Sequence, residues 1–236
     1  MSVQLWRHEL RRVGWAVWGT PLVVLAFLAV VVVTMAVIGE SDQRIGRWSG
    51  RYLEIALPLG AALVAVTLVN CDPIRELQLS LPLSYRATVL RRLAVAMSWP
   101  ALLATIAVAG LAVVGWWRIP SSLVSSQLVW LAPLVWLTSV AVGSALLVRN
   151  PTTGSVVAAG IWLIELVFGG LFFLHDWLSQ LHLFFTSYLF STFPPDAPTS
   201  DWLVNRLVLL STAGLALLGV WLLLGRDERL LLEAEA

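Results

Sequence analysis

Apolar residues in this chain come in long runs separated by short polar stretches. Six runs approach the roughly 20 apolar residues that a helix needs to cross a bilayer. They lie near Trp15–Ile38, Tyr52–Cys71, Leu93–Gly115, Leu128–Val148, Ser155–His175 and Leu203–Gly225. The pattern predicts an all-α, polytopic membrane protein with six transmembrane helices, built as a single transmembrane domain over residues 1–236. Pro21, Pro58, Pro100 and Pro133 fall inside the runs, where neighbouring helices can satisfy the carbonyls that proline leaves without a donor. No internal repeat is evident.

The stretches between the runs have their own patterns. From Ser2 to Gly14, Val3, Trp6, Leu10 and Val13 share one helical face, opposite Arg7, His8, Arg11 and Arg12. That predicts an N-terminal amphipathic helix lying at the membrane interface. The apolar run that follows is longer than the core of a signal peptide and has no clear small-residue cleavage site, so it reads as a retained first span. Between the second and third runs, Asp72 suits a helix N-cap and Pro73 the first helical position. Ile74, Leu77 and Leu81 then form an apolar face, with Leu79 pointing elsewhere, until Pro82 stops the helix. Ser84 can cap a second helix that carries Arg86, Arg91 and Arg92 into the third run. On pattern alone, an interfacial helix that only seats the loop at the headgroups is the simpler reading. The segment His175–Asp201 is too interrupted to span and too apolar for a solvated loop. It predicts short re-entrant helices between the fifth and sixth spans, closed by F-P-P-D-A-P-T.

Composition agrees with lipid as the solvent: 59% of the 236 residues are hydrophobic and 12% charged, with mean hydropathy +0.85. A net charge of +1 gives no case for nucleic acid. All fifteen basic residues are arginine. Without a lysine the chain cannot supply the G-x-x-x-x-G-K-[ST] loop that holds ATP phosphates, so no nucleotide-binding domain is expected in it. Cys71 is the single cysteine and excludes an internal disulfide. With both ends inside, the inner segments carry Arg7, Arg11, Arg12, Arg75, Arg86, Arg91, Arg92, Arg149, Arg226 and Arg229. The other side keeps Arg44, Arg47, Arg51, Arg118 and Arg206, a bias that fits the positive-inside rule and predicts cytoplasmic N- and C-termini. The three arginines of the first outer loop run against it, partly offset by Glu40, Asp42 and Glu54. Tryptophans cluster toward both ends of the runs, as an aromatic belt does.

Few residues are candidates for chemistry. Glu165 reads as lying near the middle of the fifth span, where an ionisable group costs about 2.5–3.5 kcal/mol. It either bonds across a helix interface or lines a substrate path and meets a cationic or polar ligand. Trp162, Phe168, Thr67 and Asn70 are further candidates for lining that path. Trp136 and Trp162 are deep enough to face protein or ligand, with packing the simpler role. Glu54 can pair with Arg51. A serine protease pair, Ser144 with His175, would need both groups within hydrogen-bond reach, yet the topology sets them at opposite faces. Gly143 and Ser144 fit close helix packing instead. His8, His175 and His182 are scattered, and there is no H-E-x-x-H, so no metal site is expected. His175, Asp176 and His182 read as an interfacial polar fringe.

The wording of one loop narrows the reading. Glu76-Leu77-Gln78-Leu79-Ser80-Leu81-Pro82-Leu83-Ser84, running on through Tyr85 and Arg86, resembles the loop between the second and third spans of the permease subunits of type-2 ATP-binding cassette (ABC) exporters. That family's usual Gly-Thr before the glutamate is absent here, where Ile74-Arg75 stand, and its later Gly-Lys reads Arg91-Arg92. The N-terminal L-W-R-H-E-L-R-R, the turn at Arg149–Gly154 and the order of short outer helices, Pro-rich turn and W-L-V-N-R-L are similar to the family at the level of pattern. The resemblance implies a cytoplasmic coupling helix over Asp72–Arg92. Asp72, Arg75, Glu76, Leu77, Leu79, Leu81, Pro82, Ser84, Tyr85 and Arg86 would face a separate cytoplasmic ABC ATPase. It further implies a dimer, homo- or heteromeric, in the cell (inner) membrane, with ATP and Mg bound only by the partner ATPase and no cofactor in this chain. The chain itself would have no catalytic site. An apolar, tryptophan-rich interior with one buried acid suggests an amphipathic or hydrophobic substrate: a peptide, lipid or drug. The alternative is an ATP-independent secondary transporter or channel-like protein.

Overall fold

The computed structural model describes residues 15–70, 85–117, 123–192 and 199–234. Among them every regular element is helical. Six long helices carry the apolar runs: α1 (Trp15–Val37), α2 (Asp42–Asn70), α3 (Tyr85–Val113), α4 (Leu123–Val148), α5 (Pro151–Phe168) and, after two short elements, α8 (Thr199–Ala234). All six are long and apolar enough to cross a membrane, which makes this a multi-pass membrane architecture. The fifth crossing is composite: the α-helix ends at Phe168 and a 3-10 segment continues it over Gly169–Leu174. Between it and α8 lie α6 (Asp176–Ser179) and α7 (Phe185–Thr192).

The helices start earlier than the apolar runs alone suggest. α2 begins at Asp42 because Ile45, Ser49 and Leu53 recur on one buried face through the polar first turns. α3 begins at Tyr85, and its arginine-rich start is anchored from within, with Arg91 donating to the Ala87 carbonyl and the Thr88 hydroxyl. The N-terminal segment, the Pro-rich turn at 193–198 and the connection 71–84 lie outside the described residues.

α4 is the centre of the bundle, packed mainly against α2, α8 and α5. α2 in turn meets α1, α3 and α5. One half of the core joins Ala62, Val66 and Val69 of α2 to Leu137, Ala141 and Ala145 of α4 and Leu209 and Val220 of α8. The other half joins Leu28, Leu53, Leu57, Val129, Trp130 and Trp202. Small residues allow the closest approach: a Cβ on Gly154 would sit 2.5 Å from the Ala141 carbonyl oxygen and 2.7 Å from the Ala145 Cβ. The connection that sets this pairing is short. Arg149 takes a left-handed φ of 56°, Asn150 caps α5 by accepting from the Thr152 N–H at 2.9 Å, and Pro151 opens the helix. Much of the surface of α1, α5 and α8 is apolar and exposed, as helices facing lipid should be.

Candidate functional site

The N-terminal halves of α2 and α8 and the C-terminal end of α5 converge on one side of the bundle, away from the C-terminal end of α2. There they grip the segment 179–187, whose backbone leaves regular helix between α6 and α7. Irregular backbone deep in a membrane protein must find its hydrogen bonds from side chains. Four polar residues supply them.

Glu54 of α2 is fully buried. Its carboxylate accepts from the backbone N–H of Thr186 at 3.0 Å and of Ser187 at 2.7 Å, and from the Ser187 hydroxyl. Those two N–H groups belong to the first turn of α7, so a side chain from another helix caps it, in a place where negative charge is favoured. Arg206 of α8 completes the set. It is fully buried, pairs with Glu54, donates to the Leu183 carbonyl at 3.0 Å and to the Thr186 hydroxyl, and lies 5.7 Å from the centre of the Trp202 ring. Trp202 Nε1 donates to the same hydroxyl at 2.9 Å. One turn away Asn205 spends its amide N–H groups on three carbonyls, those of Ser179, Gln180 and His182, at 3.0–3.2 Å.

Glu165 makes the fourth contact. Its Oε2 accepts from the Leu183 N–H at 3.2 Å and meets Nδ1 of His182. Both residues are buried. The imidazole stacks on Phe172 and meets Phe173 edge-on, each at 5.3 Å between ring centres. Gly169 leaves it room: a Cβ there would lie 3.0 Å from the His182 ring. Beside this pair a cavity of about 150 Å³ opens, bounded by Arg51, Ile55, Glu165, His182, Phe184 and Tyr188 among others.

The chain matches no family model, no curated protein and no solved structure.

Several sequence-based placements change. Glu54 pairs not with Arg51 but with Arg206, 152 residues away. Arg206, counted among the charges of the outer side, is the most buried cation of the described residues, facing into the bundle from α8. His182 is no surface fringe; it is buried against Glu165, while His175 and Asp176 stay exposed. Glu165 lies near the middle of the composite fifth crossing, Pro151–Leu174, in the last turn of α5 before the 3-10 segment. Among the described residues no group of three or more His, Cys, Asp or Glu side chains is placed to hold a metal.

The expected path residues do not all meet. Trp162 comes to the Glu165 region, donating through Nε1 to the Ile55 carbonyl at 2.8 Å, just where Pro58 loosens the ladder of α2. Phe168 is exposed at the end of α5. Thr67 lies on an exposed face about 18 Å further along α2 than Ile55 at 1.5 Å per residue, with its hydroxyl returned to the Val64 carbonyl. Asn70 ends α2, with its side chain outside the described residues. Trp136 donates to the Thr212 hydroxyl of α8 at 3.0 Å. Ser144 turns its hydroxyl to the Val140 and Ala141 carbonyls of its own helix. Of the expected ATPase-facing residues, Asp72, Arg75, Glu76, Leu77, Leu79, Leu81, Pro82 and Ser84 lie outside the described residues, and Tyr85 opens α3. The Arg86 guanidinium lies 5.4 Å from the centre of the Trp221 ring on α8.

Proposed function

We propose that this chain is the permease subunit of an ABC exporter, working as a dimer in the cell (inner) membrane with separate cytoplasmic ATPases. The observation that carries the reading is E-L-Q-L-S-L-P-L-S-Y-R, Glu76–Arg86, which follows α2 and runs into α3, both long enough to span a membrane. A helix with a leftover apolar residue at that point has a partner to explain it, and a groove on an ATPase suits both. Leu77, Leu79, Leu81 and Tyr85 make the contact, and Arg86 pairs with an acidic residue of the partner. Two further features support the reading. The chain has no lysine for a phosphate loop of its own, so ATP hydrolysis by that route would fall to a partner. Short helices between the fifth and sixth long helices, clamped by buried polar side chains, suit a re-entrant cap over an export path. Substrate would be amphipathic or hydrophobic, and both termini cytoplasmic.

The test is co-purification. Wild-type chain in detergent should retain its co-expressed ATPase, and Leu79→Asp should lose it while still inserting into the membrane. Full recovery of the ATPase with Leu79→Asp would sink the contact assignment. Failure of wild type to retain any ATPase encoded beside it would favour the ATP-independent transporter instead.

A further inference from the structure

We propose that the cavity beside Glu165 and His182 binds an organic ammonium group and releases a proton as it does so. Neither the binding nor the exchange depends on whether an ATPase drives the chain.

The cavity has the chemistry of a cation site. An acid, Glu165, lines it, together with the aromatic residues Phe184 and Tyr188. Aromatic faces beside an acid attract ammonium groups and repel anions. Glu165 has capacity to spare: among the described residues both of its hydrogen-bonding contacts fall on Oε2, which leaves Oε1 for a donor that a ligand brings. The mouth is lined by Leu166, Val167 and Gly170, all on the exposed surface, so an alkyl tail can lie outward while the ammonium sits within.

The proton follows from charge. A carboxylate and an imidazole in direct contact, both buried, hold lowest energy as a neutral pair that shares one proton. When an ammonium R–NH3+ enters, the pair returns to neutrality with its ligand only by losing that proton to water. One cation is bound, one proton is released, and the site's net charge is unchanged. The other charged groups facing the cavity do not supply this exchange. Glu54 of α2 and Arg206 of α8 are paired with each other behind Ser187. Arg51 of α2 stays exposed at the rim, 5.8 Å from the centre of the Trp48 ring, and its charge opposes a simple cation.

The experiment is calorimetric titration of the purified full-length chain in non-ionic detergent with butylammonium, octylammonium and butanesulfonate, in weakly buffered solution with a pH indicator. One proton should be released per ligand, and ammonium binding should then strengthen about tenfold per pH unit as pH rises. Butanesulfonate should not bind. Octylammonium binding better than butylammonium would mark a membrane-borne ligand, and equal binding a water-borne one. Glu165→Gln should weaken binding about tenfold or more and abolish the pH dependence. Arg51→Ala should tighten it. Because Glu165→Gln touches a buried pair, Gly170→Leu serves as the second variant: a Cβ at Gly170 meets nothing within 4 Å, so the side chain blocks the mouth without disturbing the pair. It should lose binding and keep the wild-type melting temperature. Binding that is indifferent to Gly170→Leu, that releases no proton, or that sulfonate matches would overturn the proposal.

Discussion

Glu54→Gln is the substitution whose cost the structure defines best. Four donors converge on that carboxylate: two backbone N–H groups, the Ser187 hydroxyl and the Arg206 guanidinium. Glutamine keeps one acceptor oxygen and turns an N–H2 toward donors, so part of the set is lost. The larger effect is on Arg206, which stays charged and fully buried with only the Leu183 carbonyl, the Thr186 hydroxyl and the Trp202 ring around it. Its Nε already has no hydrogen-bond partner. Breaking a buried ion pair from one side costs about 3–5 kcal/mol. For a chain of this length about 2–4 °C is lost per kcal/mol, so the apparent melting temperature should fall by about 10 °C. Intrinsic tryptophan fluorescence in detergent at one fixed scan rate reads it. The double variant Glu54→Gln/Arg206→Gln removes the orphaned charge and should lose about 2 kcal/mol less than the two single losses added together. A melting point for Glu54→Gln within about 2 °C of wild type, or strict additivity in the double variant, would refute the view that this pair holds the end of the bundle.

The same geometry sets two further expectations. Gly154→Ala should destabilise by about 1–3 kcal/mol because its Cβ collides with the Ala141 backbone, whereas Gly160→Ala on the same helix, where a Cβ meets nothing within 4 Å, should stabilise by about 0.5–1 kcal/mol. Opposite signs in thermal denaturation are the check. Asn205→Leu should take a side-chain donor from three carbonyls of 179–182, and limited proteolysis should then cut within that segment faster than in wild type while cleavage elsewhere stays unchanged.

The six long helices were legible because lipid imposes a single strong pattern, about 20 apolar residues, that survives without knowledge of neighbours. Their ends were less so. Asp42 and Tyr85 open helices whose first turns are polar, and only the buried face at Ile45, Ser49 and Leu53 or at Val89 and Leu93 explains why they are helical there. The polar end of the bundle was missed. Glu54, Glu165, His182 and Arg206 were each visible as an ionisable residue near a run, but a local reading offered only local partners: Arg51 for Glu54, the surface for His182. One signal pointed further. An acid and an arginine each held near apolar sequence are costly alone, and that cost argues for pairing with each other. Nothing along the chain says which acid meets which base, since the partners of Glu54 and Arg206 are set by how α2 and α8 cross.

The clamp also explains why these charges sit in an otherwise apolar protein. Between Ser179 and Ser187 the chain is not helical throughout, so its N–H and C=O groups satisfy one another only in part, as the His182 N–H does at the Ser179 carbonyl. Without water the rest need side-chain partners, and hydrogen bonds to a charged group are the stronger ones. A carboxylate can accept from two neighbouring N–H groups of a helix start and a guanidinium can donate to a carbonyl and a hydroxyl together, which is what Glu54 and Arg206 do. Each charge is tolerable because the other neutralises it. Glu165 and His182 repeat the device with one difference: their shared charge is a proton, which can leave. One pair is therefore suited to holding the segment permanently and the other to changing state beside an open cavity, and the two lie on either side of Leu183, whose carbonyl binds Arg206 and whose N–H binds Glu165.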